Sequence, residues 1–216
     1  LITQRSEFFR AARSSQWTKP GKPSRLGDDD PIIFSMYLHC LYFSTKDLEE
    51  RIETDAAEHE ATKEQGDLTP EEIMIEKHLT AMKMFIDLYI LSDKLLDHIS
   101  ADSVIDQLVS FADKQTWTIN SYLLAHMYAS TTDGSPLRKL ARHWYIHDNN
   151  YSWARNLSQG QWAGMPTDFI RDLIMETTRL QEANPEKQVQ HVFRDYPSSR
   201  EPGFYHQKLE EKSEAS

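Results

Sequence analysis

The chain has a single cysteine, Cys40, among its 216 residues. That scarcity excludes an intrachain disulfide framework and the cysteine-rich zinc sites, and it points to a reducing compartment, cytoplasmic or nuclear. Cys40 stands between Leu38 and Leu41 in an apolar run, where the expectation is a buried small hydrophobe and not a nucleophile. Glycine is thin as well, seven residues spread along the chain, and none forms a phosphate-cradling loop. No apolar stretch is long enough to span a bilayer and no signal-peptide pattern opens the chain, so a membrane partner is not expected. Positive charge is outnumbered, 24 Lys and Arg against 34 Asp and Glu for a net charge of -10. Direct nucleic-acid binding is therefore not expected, because phosphate contacts need clustered cations. Arg5, Arg10, Arg13, Lys19, Lys22 and Arg25 form a basic stretch near the start. It reads as a solvated helix face and loop, in preference to a patch for an acidic partner.

What is present is a set of helical patterns. Hydrophobic residues make up 39% of the chain, enough to fold one domain or one domain with a helical addition. Residues 4–17 predict a short helix with Phe8, Phe9 and Ala12 inward, ended by the prolines and glycine of 19–23. Ser24–Gly27 reads as a short extended piece. Asp30-Pro31 is a helix start, and Ile33, Phe34, Tyr37, Leu38, Leu41 and Tyr42 follow at helical spacing. Residues 46–69 are charged and poor in large apolar groups, which predicts a linker or a loose surface helix. Order restarts at the capping box Thr69-Pro70-Glu71-Glu72, whose helix carries Leu79, Met82, Phe85, Ile86, Tyr89 and Ile90 and ends near Leu96. Further helices are predicted from Ser100, from Asn120 or Ser121, from Ser135-Pro136 and from Pro166-Thr167-Asp168, the last with Phe169, Leu173 and Ile174 inward. Residues 182–216 are expected to be a flexible polar tail, with docking of Phe204 and Tyr205 as the alternative.

Chemical motifs are weak. His143 and His147 lie four apart on one predicted helix face, a spacing that can hold zinc, but the glutamate of a His-Glu-x-x-His site is missing. Two partly exposed helix histidines are the plainer reading, and a small metal-dependent enzyme is a remote alternative. No Gly-x-Ser-x-Gly elbow is present. Asp93 and Asp97 share a helix face and are expected to face solvent or pair with Lys94 and neighbouring bases. No catalytic residue, cofactor site or metal set is assigned, and the chain is not read as an enzyme. Five tryptophans are many for this length. Trp153 and Trp162 flank the polar stretch 156–160 and are candidates for a binding surface, with plain packing as the competing reading.

Three segments in one order carry a resemblance. Ser6-Glu7-Phe8-Phe9 comes first, then Phe34, Leu38, Leu41 and Tyr42 in the register of a Phe-x-x-x-Leu-x-x-Leu-Tyr helix. Leu88-Tyr89-Ile90-Leu91-Ser92-Asp93-Lys94 follows. Together they resemble a BTB/POZ domain over residues 1–112, with 46–69 as a charged insert. Residues 113–181, with Gly134-Ser135-Pro136-Leu137-Arg138, resemble the helical extension of fungal BTB proteins. The resemblance implies a mainly α chain: an α+β core whose sheet is incomplete, because the opening strands are missing from this sequence, followed by an α-helical extension. It implies protein–protein interaction, as an adaptor or a self-associating homodimer, with other proteins as partners. Some members of the family recruit a cullin ubiquitin-ligase scaffold through a hydrophobic-x-Glu element, which would make this chain a substrate adaptor. Trp17-Thr18-Lys19 occupies that place here with the charge reversed, which weakens such a contact. Trp17, Lys19, Phe34 and Tyr37 are the residues expected near the contact surface, with core packing as the alternative for Phe34 and Tyr37.

Overall fold

The computed structural model describes residues 2–12, 29–43, 45, 47–61, 68–115, 119–147, 164–183 and 203–206. At its centre is the helix with the best-defined start. Thr69 accepts at its hydroxyl from the Glu72 backbone N–H (3.3 Å), while the Glu72 carboxylate accepts from the Thr69 N–H (2.8 Å), and Pro70 takes the first turn. This helix, α5 (Pro70–Lys94), buries Met82, Phe85, Ile86, Leu88 and Tyr89 completely or nearly so. So wide an apolar arc belongs to a helix packed on more than one side, with Lys83 and Asp87 on the face left over.

The helices that enclose it come from both sides in sequence. Helices α1 (Ile2–Arg5) and α2 (Glu7–Ala12) replace the single helix expected there, with the break at Ser6, whose hydroxyl caps α2 by accepting from the Phe9 N–H at 3.2 Å. Helix α3 (Pro31–Phe43) starts where Asp30 accepts from the Ile32 N–H at 2.8 Å and buries Ile33, Met36, Tyr37, Cys40 and Leu41. Phe34 and Leu38 pack partly buried against this core, whereas Tyr42, expected inside, is 60% exposed. Burial raises the Cys40 thiol to about 11, so it stays protonated and unreactive at neutral pH.

The charged insert differs from expectation. Helix α4 (Leu48–Ala61) is packed on α5, with Leu48, Ile52 and Ala56 buried. Three apolar positions at four-residue spacing form a sufficient stripe even in a run that is otherwise Glu, Asp and Arg. Lys114 closes the contact on the outside by donating to Glu49 at 2.6 Å.

Helix α5 ends in a Schellman turn: the Leu96 N–H donates to Asp93 O (2.9 Å) and the Asp97 N–H to Ser92 O (3.0 Å), with Leu96 at φ 53. Helix α6 (His98–Gln115) then begins two residues before the expected Ser100, because Asp97 is the cap that accepts the Ser100 N–H at 3.1 Å. It also runs past residue 112, so the division expected there falls inside a helix.

Helices α7 (Ser121–Ser130) and α8 (Pro136–His147) start at Asn120 and Ser135-Pro136 as their sequence predicts. Gly134, at φ 82, makes the turn between them, a conformation that costs glycine nothing. Arg138 is 5% exposed and locks this turn, donating to Asp133 (2.6 Å), Tyr128 O (2.8 Å) and Thr131 O while lying over the Tyr128 ring. Helix α9 (Thr167–Ala183) packs on α8 through Phe169, whose ring meets Tyr145 at 4.8 Å and Tyr128 at 5.6 Å edge-on. Ile174, expected inward with it, is 59% exposed. The described residues contain helices and turns but no strand. The chain is mainly α over them, and the sheet implied by the resemblance is not among them. Ser24–Gly27 lies outside the described residues.

Candidate functional site

The first structural feature to emerge around the candidate residues is a buried polar knot. Asp97 is fully buried. Its carboxylate accepts from Tyr37 (3.1 Å), from the Ser100 hydroxyl (2.9 Å) and from the Ser100 backbone N–H, and Arg5 lies at 3.5 Å. Arg5 also donates to Ser100 at 3.0 Å, and the Ser6 hydroxyl donates to Leu95 O at 2.5 Å. The knot therefore ties α1, α2, α3 and the α5–α6 turn together. A buried carboxylate is tolerated only when its lone pairs are met in this way. Asp97 does not face solvent as its sequence position implied, and Lys94 pairs with Asp29 at 2.8 Å instead. The correction has a simple cause: the Schellman turn reverses the chain just before Asp97 and points it inward.

The structure describes two of the surface candidates. Tyr37 is fully buried with its hydroxyl on Asp97, so it is a core residue and not a surface contact. Burial first, and then the neighbouring Asp97 charge, push its phenol well above the ordinary tyrosine range. Phe34 lies beside it, ring centroids 6.2 Å apart, partly buried against the core. Trp17, Lys19, Trp153 and Trp162 lie outside the described residues. His143 engages Tyr205 (3.1 Å) and approaches Glu176 (3.7 Å), and the side chain of His147 is outside the described set. Among the described residues no group of His, Cys, Asp and Glu is gathered in a way that could hold a metal ion.

The surface feature with the most chemical definition is an open cleft of about 490 Å³ between the start of α3, the middle of α5 and the start of α7. Ile33, Met84 and Leu123 are buried beneath it, and Ile32 and Tyr122 stand 47% and 65% exposed on its rim. One wall carries a fixed charge relay. Asp87 accepts from Lys83 through one oxygen and from His126 through the other, both at 2.5 Å. Burial alone would raise the Asp87 carboxyl, but the hydrogen bonds from His126 and Lys83 outweigh it and hold it below its ordinary value. With both oxygens committed, Asp87 anchors the Lys83 ammonium and the His126 imidazole and is not presented as a free base. The cleft thus combines an apolar floor, an exposed aromatic on its rim and a paired charge on one wall.

Lys83 and Asp87 are an i, i+4 pair that the sequence displays, whereas His126 enters only because α7 packs on α5. Nothing in the sequence order marks Ile32 and Tyr122 as neighbours of one cleft. No protein-family model, curated protein or solved structure matches this chain.

Proposed function

We propose that this chain is a protein-interaction module of BTB/POZ type, acting as an adaptor or by self-association, and that the cleft between α3, α5 and α7 is its contact surface. The observation that carries the reading is the meeting of the three segments on which the resemblance rests. Ser6 bonds Leu95 at the end of α5, Tyr37 in α3 bonds Asp97 just beyond it, and Arg5 bridges to Asp97 and Ser100. Segments far apart in sequence thus form one unit. The cleft supports the second half of the reading, because Ile32 and Tyr122 leave apolar area exposed on its rim among the described residues. The mechanism is burial of that area, with Lys83, Asp87 and His126 setting which partner charges fit.

Size-exclusion chromatography with light scattering tests this on the full chain and on an Ile32→Asp, Tyr122→Asp double variant. The self-associating form predicts a dimer across concentrations that becomes a monomer in the double variant, with unchanged helical content by circular dichroism. A dimer that survives both substitutions removes the cleft from the reading, and a wild-type monomer removes self-association.

A further inference from the structure

Gly203–His206 is separated from α9 by residues 184–202, yet it is seated on helices far from it in sequence. Tyr205 is only 3% exposed and its hydroxyl meets His143 Nδ1 at 3.1 Å. The His143 ring lies 5.6 Å from both the Phe204 and Tyr205 rings, and its Nε2 faces Glu176 of α9 at 3.7 Å. Lys139 donates to Phe204 O at 2.6 Å while its ammonium lies 3.7 Å from the centre of the Phe204 ring. His206 reaches two carboxylates of α6, Asp106 at 2.9 Å and Asp102 at 3.7 Å. The segment is shaped for this seat. The His206 N–H donates to Gly203 O at 3.0 Å, closing a turn in which Gly203 has φ 84. A Cβ on Gly203 would stand 3.3 Å from His206 Nδ1.

These contacts are those of a bound peptide. Three residues of the segment meet different features of the groove: the Lys139 ammonium a ring and a carbonyl, the His143 imidazole a phenol, and the Asp102–Asp106 carboxylates an imidazole, while the glycine is required by the segment's own turn. Residues 203–206 are themselves a turn and a bend, in neither a helix nor a strand. We propose that the groove between α6 and α8, backed by α9, is a peptide-recognition site for a Gly-aromatic-Tyr-His sequence. The chain's own copy occupies it in cis, and its trans partner is a protein segment of the same chemistry. The proposal stands apart from the BTB reading and uses a different face. Covalent attachment makes the cis copy the resident, because its binding is intramolecular, so a trans segment binds well only when the resident leaves.

The test is fluorescence anisotropy with a labelled peptide, Glu-Pro-Gly-Phe-Tyr-His-Gln-Lys, the sequence of residues 201–208. It is titrated with the full wild-type chain and with the full chain carrying Phe204→Ser and Tyr205→Ser. The released variant is expected to bind at least about 10-fold more tightly than wild type. It should ignore a scrambled peptide and lose binding when Lys139→Glu is added. Equal binding by both chains, equal binding of the scrambled peptide, or no binding by a folded released variant would each overturn the proposal. If the double variant does not fold, Gly203→Val keeps both rings and strains only the turn, and the same titration decides with it.

Discussion

Tyr37 and Tyr205 are two buried tyrosines whose hydroxyls meet a titratable side chain, and they are held in opposite ways. Tyr37 sits at zero exposure on Asp97, a carboxylate that Ser100 and Arg5 also address. Its contact is one strand of a mesh linking α1, α3 and the α5–α6 turn, and none of the members can leave without orphaning the others. Tyr205 sits on His143, in a segment met by the side chains of Lys139 and His143 on α8 and of Asp102 and Asp106 on α6. The same residue type therefore closes a permanent joint in one region and a separable one in the other. What differs is how many partners share the buried charge and whether the surrounding chain is helical or a single turn.

The largest test of this contrast is Asp97→Ala. It removes the carboxylate from the Tyr37 hydroxyl and leaves Arg5 with Ser100, and is expected to cost about 3–5 kcal/mol of global stability, read from denaturant midpoints with an unchanged slope. Tyr205→Ala is expected to cost about 1–2 kcal/mol at most and to act locally. Hydrogen exchange should rise in residues 203–206 and the exposed faces of α6 and α8 while α5 keeps its protection. If both substitutions unfold the chain equally, the distinction between the two joints fails.

Acid sharpens the comparison. His143, facing it at 3.7 Å, and then Arg179, donating at 2.7 Å, hold Glu176 down at about 2, against burial that would raise it. A carboxyl whose folded value is depressed contributes stability above its unfolded value, near 4.5 here, and loses it as pH falls toward 2. The α8–α9 contact is expected to weaken across that window, seen as shifts of the Phe169 and Ile170 resonances. A pH-independent α9 over the same range would sink the role given to Glu176.

The smallest expected effect is a gain. Leu96 stands at φ 53 in the position of the Schellman turn where glycine is usual. Leu96→Gly should relieve on the order of 1 kcal/mol of left-handed strain and raise the melting temperature by a few degrees. A decrease would mean that the leucine side chain, 43% exposed, contributes more than its backbone costs.

Much of the helical frame is legible in the sequence, and the reason is local. The Thr69–Glu72 box, Asp30-Pro31, Asn120 and Ser135-Pro136 act within a few residues of themselves, so their meaning survives whatever packs around them. Hydrophobic spacing identified Met82, Phe85, Ile86 and Tyr89 for the same reason. Legibility fails where the outcome depends on a neighbour distant in sequence. The run from Lys46 to Thr69 looks too polar to be core, yet Leu48, Ile52 and Ala56 suffice once α5 offers a surface. Tyr42 and Ile174 sit at helical spacing but fall on the open edges of their helices.

The sites divide in the same way. That Phe204 and Tyr205 dock is readable from two aromatics in a polar tail; that they meet His143 and Lys139 is not. The Lys83–Asp87 pair is written four residues apart, but its third member, His126, and the cleft rim of Ile32 and Tyr122 come from separate helices. By itself the sequence determined where helices begin, which faces are apolar, and that only one cysteine and a negative net charge are available. Tertiary structure alone decided which charges are buried and what they bond, because burial and hydrogen-bond satisfaction are properties of helices brought together. Asp97 shows the difference: a surface aspartate by its position in the chain, and the buried centre of the polar knot once α1, α3 and α6 close around it.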